Sequence, residues 1–232
     1  MLSMSTGQLQ ALERAAAVGF LRRLIDRLSA EVPIVFDGQP AFVRDQMVVN
    51  GLAVAATFGF TLESTLGGFV ALQCLTAADF HHLPLARRVL LAEDSEQSRF
   101  ERLVGEVPAD VWAAIRSGAD QRAWFEPRRP SQKAVRIAAR VCAAFPELVD
   151  KAPEGALRPI FEASIPRAAH HGIVVETGIA VYATALAVYG DALDKPGGPA
   201  WAAQVFGSAP LPPERQVALL RLRLLLDTDR LV

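Results

Sequence analysis

Phe58-Gly59-Phe60-Thr61-Leu62-Glu63 returns 113 residues later as His171-Gly172-Ile173-Val174-Val175-Glu176. A glycine, two mainly apolar positions, a small or polar one and a glutamate mark a chain that leaves one helix and starts another. Glycine supplies the left-handed backbone that ends the first helix, and a carboxylate suits the positive N-terminal end of the second. Shifted over itself by the same 113 residues without gaps, the chain pairs Arg23 with Arg136, Arg27 with Arg140, Pro33 with Pro146, Asp37 with Asp150, Pro40 with Pro153, Ala55 with Ala168 and Glu63 with Glu176. Apolar positions follow, with Leu24 over Ile137, Leu28 over Val141, Leu66 over Ile179 and Phe69 over Tyr182. A small insertion at 195–198 then brings Pro84, Ala86 and Val89 onto Pro199, Ala202 and Val205. The period is too long for a solenoid unit and predicts a tandem duplication of a helical module of about 100 residues. The expected protein is all-α, with copy 1 over 1–119, a connector over 120–130 and copy 2 over 131–232.

Around that echo the helical periodicity is regular. Ser5 and Gln8 form a capping box, and Leu9, Leu12, Ala16, Phe20, Leu24 and Leu28 recur at spacings of three and four in an amphipathic helix that Pro33 ends or follows. A second helix is expected over 40–58, with Val43, Met47, Leu52 and Ala55 inward and Gly59 closing it. Thr61 is expected to cap a third over 62–75, apolar nearly all round and therefore central in the bundle. Gly67 and Gly68 inside it permit close helix approach. Shorter helices follow over 84–91, 95–104 and 108–115, with a loop over 79–84. From 120 to 131 the period fails, and two prolines and three arginines make a poor helix interior. The second copy predicts helices over 132–145, 154–171, 174–189, 199–206 and 213–227. Pro159 and Pro166 should kink or split the second of these, and the leucine-rich last one should pack against the other half or a partner.

Composition narrows the function classes. Of 232 residues 51% are hydrophobic and 21% charged, an ordinary globular mix, and 24 Lys and Arg against 25 Asp and Glu argue against a protein that mainly neutralises phosphates. No apolar run reaches the roughly 20 residues of a bilayer span. The N-terminus lacks a basic segment followed by an apolar block, so no secretory signal is expected. Cys74 and Cys142 lie in apolar helical surroundings and read as reduced core thiols of a cytoplasmic protein.

Motifs that carry chemistry are sparse. The histidines come as neighbours, His81 with His82 and His170 with His171, and adjacent residues on one element point in different directions, so a pair is a poor chelate. Glu63 and Glu176 are read as helix-boundary residues together with Gly59 and Gly172, because a capping carboxylate is needed in both copies whereas an active site is not. Arg23, Arg27, Arg136 and Arg140 repeat at i, i+4 and can pair with Asp26, Asp37 or Asp150. No serine lies in a nucleophile elbow. The expectation is no catalytic residue, no cofactor and no metal site. Trp124 and Phe125 suit a packing staple, and with Arg128 and Arg129 they are also the candidate partner-binding residues.

One resemblance adds to these readings. Ala56-x-x-Gly59-Phe60-x-x-Glu63, an apolar helix and then Asp79-Phe80-x-x-x-Pro84-x-Ala86 resemble a group of small helical proteins of unassigned activity encoded among the spike and toxin genes of bacterial type VI secretion clusters. The opening from Ser5 to Pro33 fits the same pattern, whereas the second copy replaces the Asp-Phe element with Asp191-Ala192-Leu193. The resemblance implies a non-enzymatic adaptor or chaperone that binds an effector or spike component. The alternatives are an immunity protein that occludes a toxin and an enzyme with a bundle site in which His81, Asp79 and Glu63 would converge. A protein partner is expected, with no nucleic acid and no membrane span.

Overall fold

The computed structural model describes residues 6–117, 121–125, 129–153, 155–207 and 211–228, and every regular element among them is helical. The chain divides into two compact units, Met1–Asp37 with Arg44–Phe125 and Gly38–Val43 with Glu126–Val232.

The first unit contains α1 (Thr6–Glu31), α2 (Pro33–Phe36), most of α3 (Ala41–Thr57), α4 (Glu63–Leu75), a 3-10 turn at Phe80–His82, α5 (Pro84–Leu90), α6 (Glu96–Glu106) and α7 (Ala109–Ser117). Pro33 stands at the start of α2, where its missing N–H and fixed φ are tolerated. The capping box at Ser5 and the side chains of Leu9 and Leu12 lie outside the described residues. A core of Phe60, Phe69, Phe80, Leu90, Leu103 and Trp112 joins α3, α4, α5, α6 and α7. Gly68 is required there, since a Cβ on it would come within 2.5 Å of the Phe100 ring on α6.

The second unit contains α8 (Lys133–Ala144), α9 (Glu147–Lys151), α10 (Leu157–His170), α11 (Glu176–Tyr189), α12 (Ala202–Phe206) and α13 (Pro213–Thr228). α11 is its centre, buried from Gly178 to Leu186 and packed by α8, α10 and α13. The Gly38–Val43 segment belongs here because Gln39 Nε2 donates to the Ala139 carbonyl at 3.4 Å and the Arg158 guanidinium lies 6.0 Å from the Phe42 ring centre.

The opening hexapeptide and its echo form the same turn. Gly59 has φ +74° and Gly172 φ +77°. The Gly59 amide donates to Ala56 and the Phe60 amide to Ala55, at 3.0 and 3.4 Å. The Gly172 amide donates to Ala169 and the Ile173 amide to Ala168, both at 2.9 Å. This pair of bonds is the Schellman closure of a helix C-terminus, and Phe60 and Ile173 are then buried as its apolar anchors.

Two local expectations are corrected. Thr61 does not cap α4: Leu62 holds the N-cap position without a side-chain cap, and the Thr61 hydroxyl donates to Glu96 instead. The prolines do not split α10, because it begins at Leu157, so Pro159 falls in the first turn where no N–H is needed, and the helix runs on through Pro166.

Replacing either glycine by alanine places a Cβ in the left-handed region, which costs about 1–2 kcal/mol. Gly172→Ala should be the more harmful, since its Cβ would also lie 2.9 Å from Pro213 Cγ. Urea denaturation followed by circular dichroism should show both midpoints lowered, that of Gly172→Ala further, with helical content unchanged before the transition.

Candidate functional site

Four helix-boundary residues were singled out by the sequence, and the structure brings each glutamate to an arginine rather than to helix amides. Glu63, at the first position of α4, meets Arg23 of α1 at 3.4 Å, with both side chains more than 60% exposed. Glu176, at the first position of α11, meets Arg136 of α8 in a fork: Nε lies 3.0 and 3.2 Å from its two oxygens and Nη2 2.9 Å from Oε2. The Arg136 side chain is only 6% exposed. The expected pairing with Asp26, Asp37 or Asp150 is thereby replaced for Arg23 and Arg136, and Arg27 pairs with Glu31 at 2.8 Å.

This difference in burial reflects how each arginine helix lies on its neighbour. In the second unit Ile179, Ala180, Val181, Thr184 and Ala185 of α11 are all buried. In the first unit Gly67, Gly68 and Ala71 of α4 stay half-buried on one flank, while Leu66 and Leu72 pack against the core. A groove of about 500 Å³ opens there between α1 and α4. Phe20, Leu24, Leu28, Gly67 and Ala71 give it an apolar lining, and Arg23, Arg27, Glu31 and Glu63 stand around it.

The turn beside this groove is clamped by α6. Glu96 Oε2 accepts from the Thr61 and Leu62 amides at 2.7 and 3.2 Å and from the Thr65 hydroxyl at 2.8 Å, while Oε1 accepts from the Thr61 hydroxyl at 2.9 Å. Those bonds, led by the Thr61 amide, hold its pKa down at about 2. One helical turn on, Arg99 Nη1 donates to the carbonyls of Phe58 and Leu90 at 2.6 and 2.7 Å, and its guanidinium lies 5.0 Å from the Phe60 ring centre. In the second unit α13 meets the equivalent turn with Pro213 against Gly172 and Val217 against Gly178.

A buried polar cluster in the second unit was not anticipated. Asp194 accepts from Arg167, Tyr182 and His171, the last at 3.0 Å, and Arg167 also donates to Asp191, which pairs with Lys195. Its donors hold the Asp194 carboxyl well below the ordinary range against the opposing effect of burial. Burial, and then the neighbouring carboxylate, raise the Tyr182 hydroxyl. At the 113-residue offset the positions of Arg167, His171, Tyr182 and Asp194 carry Val54, Phe58, Phe69 and His81. Polar residues opposite apolar ones in that alignment were the available signal. Every donor in the cluster already meets an acidic partner, so its chemistry is that of a latch on the 190–198 segment.

The remaining candidates are placed as follows. Trp124 and Phe125 are buried, 7% and 3% exposed, and offer no free aromatic face to a partner. The Trp124 carbonyl accepts from Asn50 at 2.8 Å within the first unit. Arg128 lies outside the described residues, and Arg129 is exposed. Asp79 and His81 share one turn, but Glu63 lines the groove with Arg23, so the three do not converge. Cys74 and Cys142 are buried and unpaired, and burial pushes both thiols up to about 12. Among the described residues no group of three or more His, Cys, Asp or Glu is arranged to hold a metal, and no helix is long and apolar enough to cross a membrane.

No protein-family model, no curated protein and no solved structure matches this chain.

Removing one partner of each ion pair should separate the two units energetically. Glu63→Ala breaks an exposed pair and should cost less than about 1 kcal/mol. Glu176→Ala takes the carboxylate fork from the buried Arg136 guanidinium, which keeps other contacts such as the Arg129 carbonyl at 3.4 Å. It should cost more, on the order of 2 kcal/mol, below the range for a fully buried pair because the carboxylate itself is half-exposed. Equilibrium denaturation of the two variants measures the difference.

Proposed function

We propose that this protein is a non-enzymatic adaptor that holds an amphipathic helix of a protein partner in the groove between α1 and α4. The observation that carries this reading is the open flank of α4, lined by apolar and small residues where the same flank of α11 is fully enclosed. Small residues in the floor let a helix approach closely, and apolar knobs from one face at i, i+3 and i+4 match a groove of this kind. The charges around it fit a helix of defined polarity. Arg23 and Arg27 on α1 call for acidic residues along one flank, and Glu63 on α4 calls for a basic one on the other. The native pairs of these residues are exposed and weak enough to exchange partners.

We further propose that the partner is an effector or spike component of a type VI secretion system, and that the two units descend from a duplicated helical module. The first proposal rests on the likeness of Ala56-x-x-Gly59-Phe60-x-x-Glu63 and Asp79-Phe80-x-x-x-Pro84-x-Ala86 to the accessory proteins of such clusters. The second is supported by the matched residues at the 113-residue offset and the two identical turns.

Co-expression with the proteins encoded beside it should yield a stable complex with one of them. The double variant Arg23→Glu, Arg27→Glu should keep its helical circular dichroism and lose affinity for that protein by roughly tenfold or more. An effector that folds and is secreted normally without this protein, or groove variants that bind like the parent chain, would sink the adaptor reading.

A further inference from the structure

We propose that the first unit contains an acid-operated latch, in which the His81 imidazole holds the 79–83 turn against α3 and α4 only while it is neutral. The imidazole is part of an aromatic cluster rather than a surface group. Its ring centre lies 5.9 Å from that of Phe58 at the end of α3, 6.4 Å from Phe69 on α4 and 6.1 Å from its neighbour Phe80. Phe69 and Phe80 are themselves fully buried, so the ring closes one side of the unit's core.

From α3 and α4 the imidazole meets an edge-on ring, Phe58, and a tilted one, Phe69, and no carboxylate on either helix acts on it. The charged and titratable groups that face His81 are His82 and Asp79 on its own turn and Arg87 on α5. His82 lies 4.2 Å away ring to ring. Burial first, and then the charges of His82 and Arg87, lower the His81 pKa from 6.5 to about 4, against the opposing effect of Asp79 and of the Ala78 backbone. Because the folded value lies below the unfolded one, the unfolded chain takes up the proton first. The stability that neutral His81 contributes is therefore complete above pH 6.5 and is lost as the pH falls from 6.5 towards 4. Protonation expels the ring from the phenylalanines and frees the 79–83 turn, which is held by backbone bonds from His82 to Asp79 and from Leu83 to Phe80.

The latch belongs to one unit. At the 113-residue offset the His81 position carries Asp194, an anion saturated by Arg167, Tyr182 and His171. No imidazole occupies that place in the second core. Glu96 makes a separate acid-sensitive contact in the first unit, but its window is lower, from 4.5 towards 2. The two effects are thus distinguishable by pH alone.

Hydrogen exchange of the full chain, corrected for the intrinsic rate at each pH, tests the proposal. Between pH 6.5 and 4 the amides of residues 80–91 should lose protection reversibly by roughly tenfold or more, a value reduced from the full shift because the ring is only half-buried. Those of residues 176–189 should not. His81→Phe should keep protection in 80–91 across that window, and Glu96→Gln should lose it as the parent chain does. Undiminished protection in the parent chain, or an equal loss in His81→Phe, would overturn the latch. Should His81→Phe fail to fold, nuclear magnetic resonance titration of the parent chain decides. An imidazole with a midpoint near 4 that tracks the loss of protection supports the latch, and one that titrates near 6.5 refutes it.

Discussion

The reversal of the chain at Gly59, and again at Gly172, is the constraint on which both units depend. A helix that ends leaves carbonyls without partners, and the next helix begins with amides in the same condition. Here only a few residues separate the two ends. A left-handed glycine folds the backbone so that two amides return to the carbonyls of the helix just finished. It also turns Phe60 and Ile173 inward. What remains unsatisfied must come from elsewhere in the fold. In the first unit α6 supplies it with charge: Glu96 receives the amides of Thr61 and Leu62, and Arg99 reaches the Phe58 carbonyl. In the second unit α13 approaches the same backbone with Pro213 and Val217, a packing contact in place of an ionic one.

The arginine that faces each of these turns decides how the first helix of the unit is docked. An enclosed guanidinium needs a carboxylate in good geometry, because an unpaired charge in a poorly hydrated site is far more costly than an exposed one. Arg136 has that fork to Glu176, and α8 packs against α11. Arg23 meets Glu63 at 3.4 Å in water, which constrains α1 weakly and leaves apolar and small residues of α4 uncovered. A half-open apolar flank carries a standing free-energy cost. That cost is recovered when another surface occupies it.

Much of this was readable from short-range pattern. Both glycine turns, the helical class and helix boundaries to within a few residues follow from periodicity and from the chemistry of glycine and proline, which act through their immediate neighbours. The misreadings share one cause. Thr61 and Glu63 were assigned to helix capping because local rules know only local partners, whereas their partners Glu96 and Arg23 lie 35 and 40 residues away. In sequence Trp124 and Phe125 read as a packing staple and also as candidate partner-binding residues; both are buried, as a staple requires. The groove had no signature at all, since it depends on how one ordinary amphipathic helix packs on another 40 residues away.

The cluster around Asp194 was legible only by comparing the halves, and its composition explains why its polar members occur together. Placed alone among Phe58, Phe69 and Val54, a carboxylate would lack donors and would be neutralised or expelled. Placed alone opposite Asp194, a phenylalanine in the position of Tyr182 or His171 would remove one donor and leave the rest of the network partly satisfied, which is worse than an apolar core. Arg167 likewise needs Asp191 and Asp194 together, because its guanidinium presents more donors than one carboxylate accepts. The two arrangements are therefore separated by several coupled replacements, and each single exchange would leave a polar group without one of its partners. The polar one fixes the 190–198 segment through charge-assisted bonds that hold one geometry. The aromatic one packs the 79–83 turn through contacts of His81 and Phe80 with the surrounding rings, in a setting where burial disfavours a charge on His81.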